Sequence, residues 1–141
     1  MSEAEPAARR VAVITGGARG IGEAAARRFS ADGYAVAILD VNRARAEAVA
    51  GDLDSNRAPA RYYECDVADA CAVSAVADRV QAEIGPADVL VTSAALIPNT
   101  ESIMEMDLAA HDRMWRVNYH GTVHACRSFG KHMVVRQSGA I

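Results

Sequence analysis

Short apolar runs alternate along the chain with segments of helical spacing. Val11-Ala12-Val13-Ile14 is unbroken and ends in a glycine cluster, Thr15-Gly16-Gly17-Ala18-Arg19-Gly20-Ile21-Gly22. After it the period changes: Ile21, Ala24, Ala25 and Phe29 fall at i, i+3, i+4 and i+8, and Gly33 is placed to close that helix in the left-handed conformation. Ala35-Val36-Ala37-Ile38-Leu39 is a second apolar run, ending on Asp40, and an Arg/Ala/Glu helix follows from about Asn42 to Leu53. A third strand over Ala60 to Cys65 mixes polar and aromatic residues, which suits an edge position. Val73, Val76, Ala77, Val80 and Ile84 form a helical stripe stopped by Gly85-Pro86, and Val89-Leu90-Val91 is the fourth strand. From Asp107 to about Val135 the pattern predicts one long helix or two joined ones, and Gly139-Ala140-Ile141 begins a fifth strand.

Strands alternating with helices at roughly 25-residue spacing call for parallel pairing through right-handed crossovers. The predicted fold is therefore α/β, a doubly wound, mostly parallel sheet of the Rossmann type. It is incomplete, with strand order 3-2-1-4 and a fifth strand starting at the carboxyl end. Length allows one domain, residues 10–141, behind a frayed lead-in of residues 1–9.

Composition narrows the function classes. Hydrophobic residues make up 51% and charged residues 23%, which excludes a disordered or collagen-like chain. Net charge is -3, and the 14 arginines are scattered among 18 acids without a basic stripe, so no nucleic-acid partner is expected. Cys65, Cys71 and Cys126 are odd in number and lack C-x-x-C spacing, which argues against a disulfide framework and a zinc site and suits a reducing cytoplasm. The opening MSEAEPAARR carries acids and a proline where a signal peptide needs an apolar run, and no segment approaches a membrane span.

The candidate chemistry sits where the first strand ends. Parallel sheets bind ligands at the carboxyl ends of their strands. There Gly16 would permit a sharp turn, Gly20 a close approach of backbone to phosphate oxygens, and Gly22 close packing of the helix on the sheet. Free N–H groups and the helix dipole favour an anion. The alternative is that the glycines serve only a tight connection. Asp40 lies 18 residues after Gly22, where a carboxylate accepts hydrogen bonds from ribose hydroxyls and repels a 2′-phosphate; the alternative is a solvated acid opening the next helix. Together the two features point to NAD rather than NADP, with Arg19 and Arg43 as nearby cations that soften the preference.

With these residues in place the sequence resembles the short-chain dehydrogenase/reductase family, whose signature T-G-x-x-x-G-x-G is matched by Thr15 to Gly22. The resemblance implies cofactor binding by Thr15, Gly16, Arg19, Gly20, Ile21 and Gly22, and by Asp40. It also makes Asp66-Val67 similar to the family's acidic pair at the adenine ring, although Asp66 equally suits a helix cap. Asn118 is similar to the helix asparagine that orders a proton-relay water; a local kink or a helix contact is its plainer role. Where the family shows N-N-A-G, this chain has Thr92-Ser93-Ala94-Ala95, so Ser93, Ala94 and Ala95 fall at the nicotinamide ribose and Ala95 adds a methyl there. The family's catalytic serine and Tyr-x-x-x-Lys pair are not among these 141 residues: Tyr34, Tyr62, Tyr63 and Tyr119 all lack a lysine four positions on.

The resemblance thus implies the amino-terminal portion of an NAD-dependent oxidoreductase acting on a small alcohol or carbonyl, inactive as this chain alone. It also implies a homo-oligomer formed through the helix around 107–135. A non-catalytic nucleotide-binding or interaction module is the competing expectation, and a methyltransferase on a similar sheet is disfavoured by the full match of the glycine turn. His120 and His124 stand four apart, but a helix surface accounts for them better than a metal. Trp115 and Met104, Met106, Met114 and Met133 are expected in core or interface packing, and Ile97-Pro98-Asn99 along one wall of the substrate site.

Overall fold

The computed structural model describes residues 9–54, 58–97 and 102–141. Strands β1 (Val11–Thr15), β2 (Ala35–Asp40), β3 (Ala60–Glu64) and β4 (Val89–Thr92) form one sheet in the order β3-β2-β1-β4, every pairing parallel. Helices α1 (Gly20–Ala31), α2 (Arg43–Leu53) and α3 (Ala70–Glu83) supply the crossovers. The expected order 3-2-1-4 is the observed one. Beyond β4, Ala140 makes a single isolated parallel bridge to Val89, at the place expected for a fifth strand.

Alternation along the central strands divides the core in two. Ala12, Ile14, Val36 and Ile38 face α1 and α2, packing with Ala26, Ala46 and Val49. Val11, Val13, Ala37 and Leu39 face the other way and pack with Val73 and Val80 of α3 and with Phe129 and Met133. β1 and most of β2 are buried on both faces, which is why their sequences run apolar without a break. β3, at the edge of the sheet, buries Ala60 on one face and Tyr63 on the other and exposes Arg61 and Glu64.

The segment after residue 107 is one continuous helical run with a defect in it. α4 (Leu108–Trp115) passes into a π-helical turn (Arg116–His120) and then α5 (Gly121–Arg136). Asp107 caps α4 by accepting from the N–H groups of Ala109 and Ala110, and α5 stops at Gln137 in the left-handed conformation. Gly33 (φ +83°) closes α1 as expected: its N–H donates to Ser30 O and that of Tyr34 to Phe29 O, a Schellman motif.

One expectation is corrected and another is met in part. The buried stripe of α1 is Gly22 and Ala26, with Phe29 partly covered, and not one led by Ile21 and Ala24. The first turn of α1 overhangs the sheet end, and Ile21 is 82% exposed. Only Met133 among the four methionines is in the core, while Met104 and Trp115 are exposed. Residues 1–8, Pro98 and Asn99 lie outside the described residues, so the lead-in and most of the Ile97-Pro98-Asn99 wall are not described.

Candidate functional site

The carboxyl ends of β1, β2, β3 and β4 open onto a cleft of about 500 Å³. Ten of the residues singled out for cofactor binding line it: Gly16, Arg19, Gly20, Ile21, Asp40, Asp66, Val67, Ser93, Ala94 and Ala95. Thr15 and Gly22 stand behind the wall. Thr15 is buried, and its Oγ1 accepts from the N–H groups of Ser93 (3.1 Å) and Ala94 (3.2 Å), tying the end of β1 to the loop after β4. Its hydroxyl holds the cleft together and does not face into it.

Each glycine has its own reason. A Cβ on Gly16 (φ +67°) would lie 2.6 Å from the Ala94 Cα, so the turn packs against the β4 loop. On Gly22 it would collide with the Gly16 carbonyl oxygen, so Gly22 packs directly against the turn itself. On Gly20 (φ +59°) it would meet nothing within 4 Å, because this residue faces the open cleft. Arg19, the residue before α1, is extended and its side chain caps nothing, so the first turn of α1 presents its amides uncapped. That cradle fits an anion such as a pyrophosphate.

Asp40 does not cap the next helix. Asn42 does, accepting from the Arg45 N–H, while Asp40 Oδ2 accepts from the Ala18 N–H (3.0 Å) and Oδ1 from the Asn42 N–H (2.9 Å). Asp66 likewise leaves the capping of α3 to Asp69, which accepts from the Cys71 and Ala72 N–H groups. Asp66 Oδ1 accepts from the Ala68 N–H, and Oδ2 lies 3.7 Å from the Arg113 guanidinium. Of the two cations near Asp40, Arg43 pairs with Glu47 at 2.9 Å, and Arg19 lines the cleft without an ion pair among the described residues.

Asn118 sits in the π-helical turn. Its Oδ1 accepts from the Leu96 N–H (2.8 Å) and its Nδ2 donates to the Leu96 carbonyl (2.9 Å), clasping the cleft wall that follows β4. Gly121, one turn on, packs so closely on Val67 that a Cβ would lie 2.5 Å from Val67 Cγ2. His124 Nδ1 meets the Val67 carbonyl at 2.9 Å. His120 and His124 stack at 6.2 Å, and among the described residues no three His, Cys, Asp or Glu side chains gather as a metal site.

Several lining residues carry no sequence signal: Leu39, Val41, Cys65, Leu96, Arg113 and Val117. Arg113 and Val117 come from a helix far along the chain, and only folding brings them here. Cys65 is buried at the cleft wall, and burial, aided by Asp66 and Asp69, pushes its thiol up to about 11. It is an apolar wall residue and not a nucleophile.

The sequence profile described as short chain dehydrogenase matches residues 10–141. D-threitol dehydrogenase of Mycolicibacterium smegmatis is 40% identical over 94% of this chain and 50% of its own length. 2,3-Dihydro-2,3-dihydroxybenzoate dehydrogenase of Bacillus subtilis is 34% identical, again over 94% of this chain and 50% of its own. Among solved structures, the alcohol dehydrogenase of Thermococcus sibiricus, complexed with 5-hydroxy-NADP, superposes with a TM-score of 0.86 at 32% identity, over 94% of this chain and 56% of that one. The chain thus spans about half the length of the relatives it matches. No described helix is long and apolar enough to cross a membrane. By a profile match over nearly its whole length and by these relatives, the chain belongs to the short-chain dehydrogenase family of oxidoreductases.

Proposed function

We propose that residues 10–141 are the NAD-binding domain of a cytoplasmic oxidoreductase acting on a small alcohol or carbonyl compound. One observation carries the reading: an uncapped α1 amino terminus over an open glycine shares a cleft with the Asp40 carboxylate at the adjoining strand end. The first suits a pyrophosphate and the second an adenosine ribose. Each carboxylate oxygen accepts two hydrogen bonds, so Asp40 keeps capacity for ribose hydroxyls beside its two backbone partners. The nicotinamide ring, when bound, supplies the hydride chemistry. This chain's residues bind and orient it. Asp66 and Val67 serve the adenine side, and Ser93, Ala94 and Ala95 the nicotinamide ribose. Asn118 acts as a positioning residue through Leu96. We assign the proton donor and most of the substrate pocket to sequence outside these 141 residues, because no Tyr-x-x-x-Lys occurs within them.

Fluorescence titration of the complete protein with NADH and NADPH tests this. NADH is expected to bind about tenfold more tightly or better, the value of a hydrogen bond to a charged group, and Asp40→Ala to abolish the difference. Tighter NADPH binding by the unmutated protein would sink the NAD assignment. Saturable binding of neither would sink the nucleotide reading altogether.

The exposed apolar side chains of the last helices favour a second reading as an interaction module: Trp115, Tyr119, Val134 and Val135 are at least half exposed. Saturable NADH binding without turnover of any alcohol by the complete protein would support it.

A further inference from the structure

A closed ring of hydrogen bonds holds the Asp40 carboxylate. Oδ2 accepts from the Ala18 N–H at 3.0 Å, and the Ala18 carbonyl accepts from Arg45 Nε at 2.7 Å. The Arg45 N–H donates to Asn42 Oδ1 at 3.2 Å, and the Asn42 N–H donates back to Asp40 Oδ1 at 2.9 Å. The Arg45 guanidinium is steadied in turn by Glu23 Oε2 at 3.3 Å. Both peptide groups flanking the Ala18 side chain are thereby engaged, and its methyl is buried between β1, β2 and the α1 and α2 helices. Arg45 is the one side chain that joins the glycine turn to α2 within this ring, and it does not line the cleft.

We infer that Arg45 is a positioning residue that sets the choice between NAD and NADP, by fixing the Ala18 peptide and through it the orientation of Asp40. The inference rests on the NAD reading proposed above. It predicts a sign that charge alone does not. A cation near the cleft attracts the additional phosphate of NADPH, so simple loss of the charge raises the preference for NADH. Loss of a positioning bond lowers that preference, because Asp40 is no longer aimed at the ribose.

The test is fluorescence titration of the complete protein with NADH and NADPH for the unmutated form, Arg45→Met, Arg45→Lys and Asp40→Ala. Arg45→Met removes both the charge and the donor at the Nε position, and NADH affinity is expected to fall about tenfold and NADPH affinity by less than about threefold, so that the ratio drops. Arg45→Lys keeps the charge but has no N–H at the Nε position, and is expected to lower the ratio in the same direction. An unchanged or raised ratio in Arg45→Met would overturn the inference, as would an unchanged ratio in Arg45→Lys. If Arg45→Met does not fold, Arg45→Lys decides alone. Should Asp40→Ala leave the ratio unchanged, the NAD reading itself fails; should Asp40→Ala abolish it while both Arg45 variants keep it, only the role of Arg45 fails.

Discussion

Gly20 and Gly22 are two residues apart, yet a methyl group added to each meets opposite surroundings: open cleft at Gly20, the Gly16 carbonyl oxygen at Gly22. Gly20→Ala is expected to cost about 1 kcal/mol of stability, from the positive φ alone, while weakening NADH binding far more than that cost accounts for. Gly22→Ala is expected to cost about 3 kcal/mol, because backbone must move to admit it. Urea denaturation with and without NADH separates the two. Cys65 makes a pH prediction. Its thiol in the folded protein titrates near 11 against an ordinary 9.0, so the folded state holds its proton more tightly. That stabilisation is whole below about pH 9 and is lost as pH rises toward 11. Burial and the Glu83 hydrogen bond also raise the Tyr63 hydroxyl, which adds a loss of the same sign at higher pH. Denaturation midpoints should fall above pH 9, and Cys65→Ala should flatten the first part of the fall. At this scale the sequence showed which residues matter better than why: the three glycines were legible from spacing, but the contact that excludes a side chain at Gly22 lies inside the turn.

Among the elements, the central strands and α3 were readable because burial on two faces, or on one stripe, leaves a periodic record. The helix after Asp107 was not fully readable, since nothing in the residue pattern announces a π-helical turn at Arg116–His120. The turn inserts a residue into the helical repeat and lets Asn118 reach Leu96 while Gly121 reaches Val67. Asn118→Ala removes both bonds to Leu96 and leaves its backbone groups without that partner. It should destabilise the protein by about 2 kcal/mol, measured by chemical denaturation, and weaken nucleotide binding further through the loosened wall. Asp69→Ala, which removes only the cap of α3, should cost about 1 kcal/mol and leave nucleotide affinity unchanged.

For the molecule as a whole, apolar surface is unevenly covered. Val134 and Val135 on α5 and Ile141 beyond the Ala140 bridge are 76%, 84% and 65% exposed, and that bridge lies at the open β4 edge of the sheet. The 141-residue chain expressed alone is therefore expected to self-associate, with a mass by light scattering that rises with concentration. The sequence by itself determined the class of fold, the parallel pairing of its strands and the position of the glycine turn. These follow from local causes: apolar runs, helical periods and glycines required by backbone geometry. Only the tertiary structure decided which residues meet across the cleft. Arg45 closing a ring through Ala18 to Asp40, Asn118 clasping Leu96, and Arg113 approaching Asp66 all join residues more than 20 positions apart, or link them through one that is. Such contacts are long-range consequences of how the layers pack, and an exposed arginine in a helix carries no local mark of the carbonyl it will find.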